Sequence, residues 1–190
     1  MEAAAIASPD TSMAPGSATA AAAEVVPRMA ALGLRLATAE STVGGLIGHL
    51  LTDVPGASRV FAGGITAYAN GPKERLLGVP DAVLESDGSV SEPAVQAMAE
   101  GARRAFAVDV AIAESGIAST LDPPRAERPG GLYFVAIAAE GFARVERHAL
   151  AGDRPATKQQ AAAAALRLVL DYLDDLDDID RREGQEAGTA

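Results

Sequence analysis

Cysteine and tryptophan are absent from this 190-residue chain, and histidine occurs only twice. Without thiols there is no disulfide and no thiolate nucleophile, and two imidazoles with no cysteine are too few ligands for a conventional zinc site. Any chemistry therefore falls to hydroxyl, amine, carboxylate or backbone groups, with no metal and no cofactor expected. Basic residues are also in deficit: 16 Lys and Arg stand against 26 Asp and Glu, a formal charge of −10. Phosphate backbones are held by clustered Lys and Arg, so nucleic acid is disfavoured as a partner, while one small phosphate in a pocket stays open. No apolar run reaches the length of a membrane span, and the first residues lack the basic start and apolar core of a signal peptide. A soluble, cytoplasmic protein with no membrane partner is expected.

What is present suffices for one domain: 48% of the residues are hydrophobic, enough for a core but not comfortably for two. Residues 1–22, rich in Ala, Ser and Pro, read as a disordered tail. Residues 23–176 read as the domain, and 177–190 as a polar acidic tail. "AEVVPRMAALGLRLATAES" predicts a helix from Ala23 to Gly33, with Pro27 early in it, and then a strand over Leu34 to Thr38. A helix over 45–52 follows, then a buried strand in "VFAGGITAYA" and a brief helix in "NGPKERLLGVP". "SVSEPAVQAMAEGARRAFAV" predicts a strong helix capped by Ser91. Strands are expected at 109–115, 131–139 and 143–150, with a long loop before the second of these and a terminal helix after the third. Strands alternating with helices argue for an α/β layered domain with a mostly parallel sheet. Ligands of such sheets bind at the carboxyl ends of the strands, where "AESTVGG", "AYANGPK" and "ESGIAST" all fall.

In "AESTVGG" the two glycines let the backbone approach a ligand, and unpaired N–H groups of the following helix favour an anion. Ser41 and Thr42 add hydroxyls beside it, although either is equally an ordinary helix cap. "YANGPK" offers Tyr68, Asn70 and Lys73. A lysine near a serine removes its proton if burial lowers the lysine pKa, a pairing that needs neither histidine nor metal. His49 and His148 are expected to pack or to face solvent.

These blocks, with "GSVSEPAVQAMAEGARRAFAVDVAIAESGIA", "RPGGLYFVAIA" and "AGDRPA", resemble the CinA carboxyl-terminal domain family over about Val25 to Leu173, in the same order and at similar spacing. Active members of that family are nicotinamide-nucleotide amidohydrolases. Larger members carry a further amino-terminal domain, and this chain resembles the stand-alone form. The resemblance implies a three-layer α/β/α sandwich and conversion of nicotinamide mononucleotide to nicotinate mononucleotide and ammonia. It implies Ser41 as nucleophile, with Lys73 and Tyr68 activating it. Asn70 would order the loop or touch ligand, and Gly44 and Gly45 would lend N–H groups to an oxyanion or phosphate. Arg154 would bind phosphate, with Thr42, Ser115 and Gly116 also lining the substrate site. A homodimer fits the same resemblance.

The motifs depart from the family in places. Its Glu-Ser-Cys-Thr-Gly-Gly reads Glu-Ser-Thr-Val-Gly-Gly, so Val43 replaces a threonine. Its Thr-Gly-Ile-Ala-Gly-Pro reads Ser-Gly-Ile-Ala-Ser-Thr, so Ser119 and Thr120 replace Gly-Pro, and Arg128 stands for a lysine. Two other roles therefore remain open: a nucleotide-binding or interaction module with weakened or absent hydrolysis, and a related hydrolase of a different small amide.

Overall fold

A computed structural model describes residues 16–118 and 129–187. Helix α1 (Ser17–Leu32) leads into β1 (Leu36–Glu40), then α2 (Leu46–Thr52), β2 (Phe61–Thr66), α3 (Asn70–Leu77), α4 (Asp81–Ser86) and α5 (Glu92–Phe106). Strands β3 (Val110–Gly116), β4 (Leu132–Ala139) and β5 (Phe142–Ala149) follow, and α6 (Arg154–Ala187) closes the fold. The sheet order is β2-β1-β3-β4-β5; β1 pairs in parallel with β2 and β3, and β4 pairs antiparallel with both β3 and β5. Four strands thus share one direction and β4 alone opposes them, so the sheet is mostly parallel, as expected.

Alternation along the strands assigns one kind of side chain to each face. Leu36, Val110, Ile112, Tyr133, Val135 and Ile137 join the core shared with α1, α2 and α6. Ala37, Ala39, Ala111, Ala113, Ala136 and Ala138 face the other way, into the core of α5 and its neighbours. Bulky residues keep the first helix layer at a distance, while the alanine face lets α5 lie close. Helix α5 in turn holds α3: a Cβ on Gly101 would run into the carbonyl of Leu77. The result is a three-layer α/β/α sandwich.

Local signals account for most boundaries. Ser91 caps α5, its Oγ accepting from the N–H of Ala94 at 3.4 Å, with Pro93 in the first turn. Asp153 caps α6 in the same way, accepting from the N–H of Ala156 at 2.9 Å. Three expectations need correction. Helix α1 begins at Ser17, inside the stretch assigned to a disordered tail, because Ala18, Ala21 and Ala22 are small enough to pack into the core and are buried there. Pro27 accordingly lies well inside α1 rather than early in it. At the other end α6 continues to Ala187, past the tail boundary at 177; ion pairs of Arg28 with Asp174 and Asp177 tie this stretch to α1.

Candidate active site

The turn after β1 sits where the carboxyl ends of β1, β2 and β3 meet, since Glu40 is in register with Thr66 on one side and Glu114 on the other. Ser41 leaves β1 toward α3 and α5. There Lys73, on the first turns of α3, is fully buried, and its Nζ donates to Ser41 Oγ at 3.0 Å, to Ser115 Oγ at 3.0 Å and to Met98 Sδ at 3.5 Å. Ser115 Oγ donates its own proton to the Ser89 carbonyl at 2.7 Å, so toward Lys73 it acts only as an acceptor. Two N–H bonds of the amine are therefore fixed on Ser115 and Met98, and its remaining position points at Ser41. In a protonated amine that position is an N–H; in a neutral one it is a lone pair aimed at the hydroxyl proton.

Burial favours that neutral form. Loss of solvation pulls the Lys73 pKa from 10.5 down to about 8, against the opposing pull of the Glu114 carboxylate. The net displacement corresponds to about 3 kcal/mol of disfavour for the ammonium. A serine hydroxyl held on an amine of this kind is the arrangement of a Ser/Lys nucleophile.

On the other face of the sheet, the α2 and α6 side, two carboxylates hold the turn from below. Glu40 accepts from Ile47 N at 3.1 Å, Gly48 N at 2.9 Å and Thr38 Oγ1 at 3.1 Å, which satisfies the first N–H groups of α2. Glu114, wholly buried, accepts from the N–H groups of both Ser41 and Val43 at 3.1 Å through Oε2. Burial pushes its pKa up to about 7, with the two N–H bonds and Lys73 pulling the other way. Thr42 Oγ1 donates to the Gly116 carbonyl and accepts from the Gly116 N–H at 3.2 Å, stitching the first turn to the end of β3. Gly116 must be glycine for packing, because a Cβ there would run into the ring of Tyr133. Gly44 and Gly45 both adopt positive φ, 69° and 95°, and carry the chain from Ser41 into α2. Among the described residues their N–H groups make no hydrogen bond. A Cβ on Gly44 would lie 3.8 Å from Lys158 Nζ, so the α6 lysine overhangs Gly44.

A family model described as the CinA C-terminal domain matches residues 18–173. The chain belongs to this family. It is 45% identical over 145 residues to a CinA-like protein of Anaeromyxobacter dehalogenans, covering 76% of this chain and 35% of that one. A putative competence-damage inducible protein of Symbiobacterium thermophilum is 44% identical over 154 residues, with 76% and 36% covered. The chain therefore spans about a third of the length of these curated relatives. Among solved structures, the competence/damage inducible protein CihA of Agrobacterium tumefaciens superposes with a TM-score of 0.78 at 31% identity, covering 84% of this chain and 97% of that one.

Within this CinA domain the expected site residues fall into two groups. Ser41, Lys73 and Ser115 are joined by hydrogen bonds, with the Thr42–Gly116 pair beside them, and Ser115, expected to line the substrate site, is fully buried against Lys73. Tyr68 is 64% exposed, and its hydroxyl meets Arg154 Nη2 at 3.4 Å rather than Lys73. Asn70 opens α3 and is exposed. Tyr68, Asn70 and Arg154 thus stand at the rim. Val43 is buried in the apolar core and only its N–H faces the site, so a hydroxyl is not missing from the crevice at that position. Ser119, Thr120 and Arg128 lie outside the described residues. His49 is exposed beside Asp53, and His148 pairs with Glu146 on β5. Glu114 and Lys158 are the site residues that the motifs did not single out. No group of three His, Cys, Asp or Glu among the described residues is arranged to hold a metal ion, and no described helix is long and apolar enough to cross a membrane.

Proposed function

We propose that the protein is a carbon–nitrogen hydrolase of a linear amide, converting nicotinamide mononucleotide to nicotinate mononucleotide and ammonia. The observation that carries this reading is the fully buried Lys73 amine 3.0 Å from Ser41 Oγ. Neutral Lys73 takes the hydroxyl proton as Ser41 Oγ bonds to the carboxamide carbon. The resulting oxyanion faces the free N–H groups of Gly44 and Gly45. Collapse breaks the C–N bond, and the proton held by Lys73 goes to the departing ammonia. Water then attacks the acyl-serine with Lys73 again receiving a proton, and as the acyl–oxygen bond breaks Lys73 returns that proton to Ser41 Oγ, restoring both groups and releasing the carboxylate. Arg154 and Lys158, one helical turn apart on α6, supply cations for the nucleotide phosphate. The formal charge of −10 supports a free nucleotide rather than nucleic acid as the partner, and a cytoplasmic homodimer completes the proposal.

The test is ammonia release from nicotinamide mononucleotide. Ser41→Ala is expected to abolish turnover with the fold retained; undiminished turnover in that variant would remove Ser41 from the chemistry. One observation favours a second reading, a binding module with weakened hydrolysis. Glu114 already takes the N–H groups of Ser41 and Val43, so neither is left to donate to an oxyanion. Tight binding of the mononucleotide with no ammonia after prolonged incubation would decide for that reading.

A further inference from the structure

Glu114 is a buried carboxylate with an unfinished set of partners. Its Oε2 accepts from two backbone N–H groups on either side of Thr42, while Oε1 is enclosed without a hydrogen-bond partner among the described residues. A carboxylate left in that state costs stability, because a charged oxygen has lost its water and gained nothing in exchange. Glutamine would keep the two accepted bonds without the charge. Among the described residues the groups that face Glu114 are Lys73 from α3, Glu40 from β1 and Tyr133 from β4, with Lys158 of α6 above the adjoining turn. Lys73 and Glu114 form no direct ion pair. Lys73 stands on the α5 side of the sheet with its hydrogen bonds on Ser41, Ser115 and Met98, and Glu114 lies on the α6 side. The Ser41 turn runs between them.

We propose that Glu114 is a positioning residue, which pins the Ser41 turn through two backbone hydrogen bonds and whose charge decides how readily Lys73 gives up its proton. The proposal rests on the Ser41–Lys73 reading above for its catalytic consequence, but the coupling of the two buried groups is independent of any substrate. An ionised Glu114 favours the ammonium and withholds the base; a protonated Glu114 releases it. Because such coupling is reciprocal, loss of either charge shifts the titration of the other group by a comparable amount.

Two readouts separate this from a merely structural role. In Glu114→Gln, the limb of the pH profile of kcat/KM on which activity rises is expected to move to lower pH by about one unit. In Glu114→Ala the limb moves likewise and the plateau falls as well, because the turn loses its anchor. A structural Glu114 would lower the plateau and leave the limb in place, and an unmoved limb in folded Glu114→Gln overturns the proposal. The second readout needs no turnover: the 13Cε resonance of Lys73, assigned by its absence in Lys73→Met, is titrated in wild type and Glu114→Gln. Its midpoint is expected to fall in the variant; equal midpoints overturn the coupling. If Glu114→Gln does not fold, the 13Cδ resonance of Glu114 is followed in wild type and Lys73→Met, where removing the cation is expected to raise its midpoint and an unchanged one overturns the coupling. Absence of ammonia release by the wild type would sink the deamidase reading alone, while the resonances still decide the role of Glu114.

Discussion

The floor and the rim of the candidate site are built by different rules. On the floor, Ser41, Lys73, Ser115 and Glu114 are all nearly or wholly shielded from water, and almost every polar atom has a named partner. At the rim, Tyr68, Asn70 and Arg154 are exposed, and one long contact of 3.4 Å joins the tyrosine to the arginine. The floor is fixed by strand register and helix packing before any ligand arrives, whereas the rim has side chains free to adjust to one. On the proposed reading, chemistry belongs to the first and recognition to the second.

That division is sharpest at Lys73. Lys73→Met should lower kcat by about 100- to 10,000-fold, the usual contribution of a positioned base, with KM little changed; a loss confined to KM would move the lysine to the rim in function. Arg154→Ala should show the opposite pattern, raising KM roughly 10- to 100-fold with kcat preserved, the scale of one charge-assisted hydrogen bond to phosphate. A fall in kcat alone would break the comparison from the other side. The wild-type pH profile gives a third check. Since the base is the neutral amine and its pKa is lowered to about 8, activity should rise with pH, by roughly tenfold between pH 7 and 9. The smallest effect is expected of Tyr68→Phe, within about threefold in kcat, because its hydroxyl does not reach Ser41 or Lys73; a loss on the scale of Lys73→Met would show that the rim closes over the reaction.

Much of the floor was legible in the sequence. Three polar turns at the carboxyl ends of predicted strands made Ser41, ahead of paired glycines, and the downstream Lys73 candidates, and the resemblance to the family gave them their roles. Tyr68 was less legible, since sequence order carries no information on whether a side chain beside Lys73 turns inward or out. Glu114 was missed because a lone acidic residue at a strand end usually faces solvent. A signal did exist: "ATAE" at 37–40 and "AIAE" at 111–114 repeat one pattern at the ends of two strands, and register sets their glutamates side by side. Lys158 had only its helical spacing from Arg154 to point to it. The start of α1 was misjudged for a different reason. Alanine carries little hydrophobic signal of its own, yet Ala18, Ala21 and Ala22, like the run from Ala161 to Ala165, are buried because small side chains let helices approach closely.

The close fit of Gly101 against the Leu77 carbonyl has a consequence for reactivity. Lys73 cannot swing outward unless α3 lifts off α5, and that movement would expose Leu77 and Met98 together with it. An amine that is nucleophilic by its pKa is thereby shielded from acylating reagents, metabolic ones included, as long as the domain stays folded. Resistance of this one lysine to chemical labelling would then report how tightly the two helices are locked.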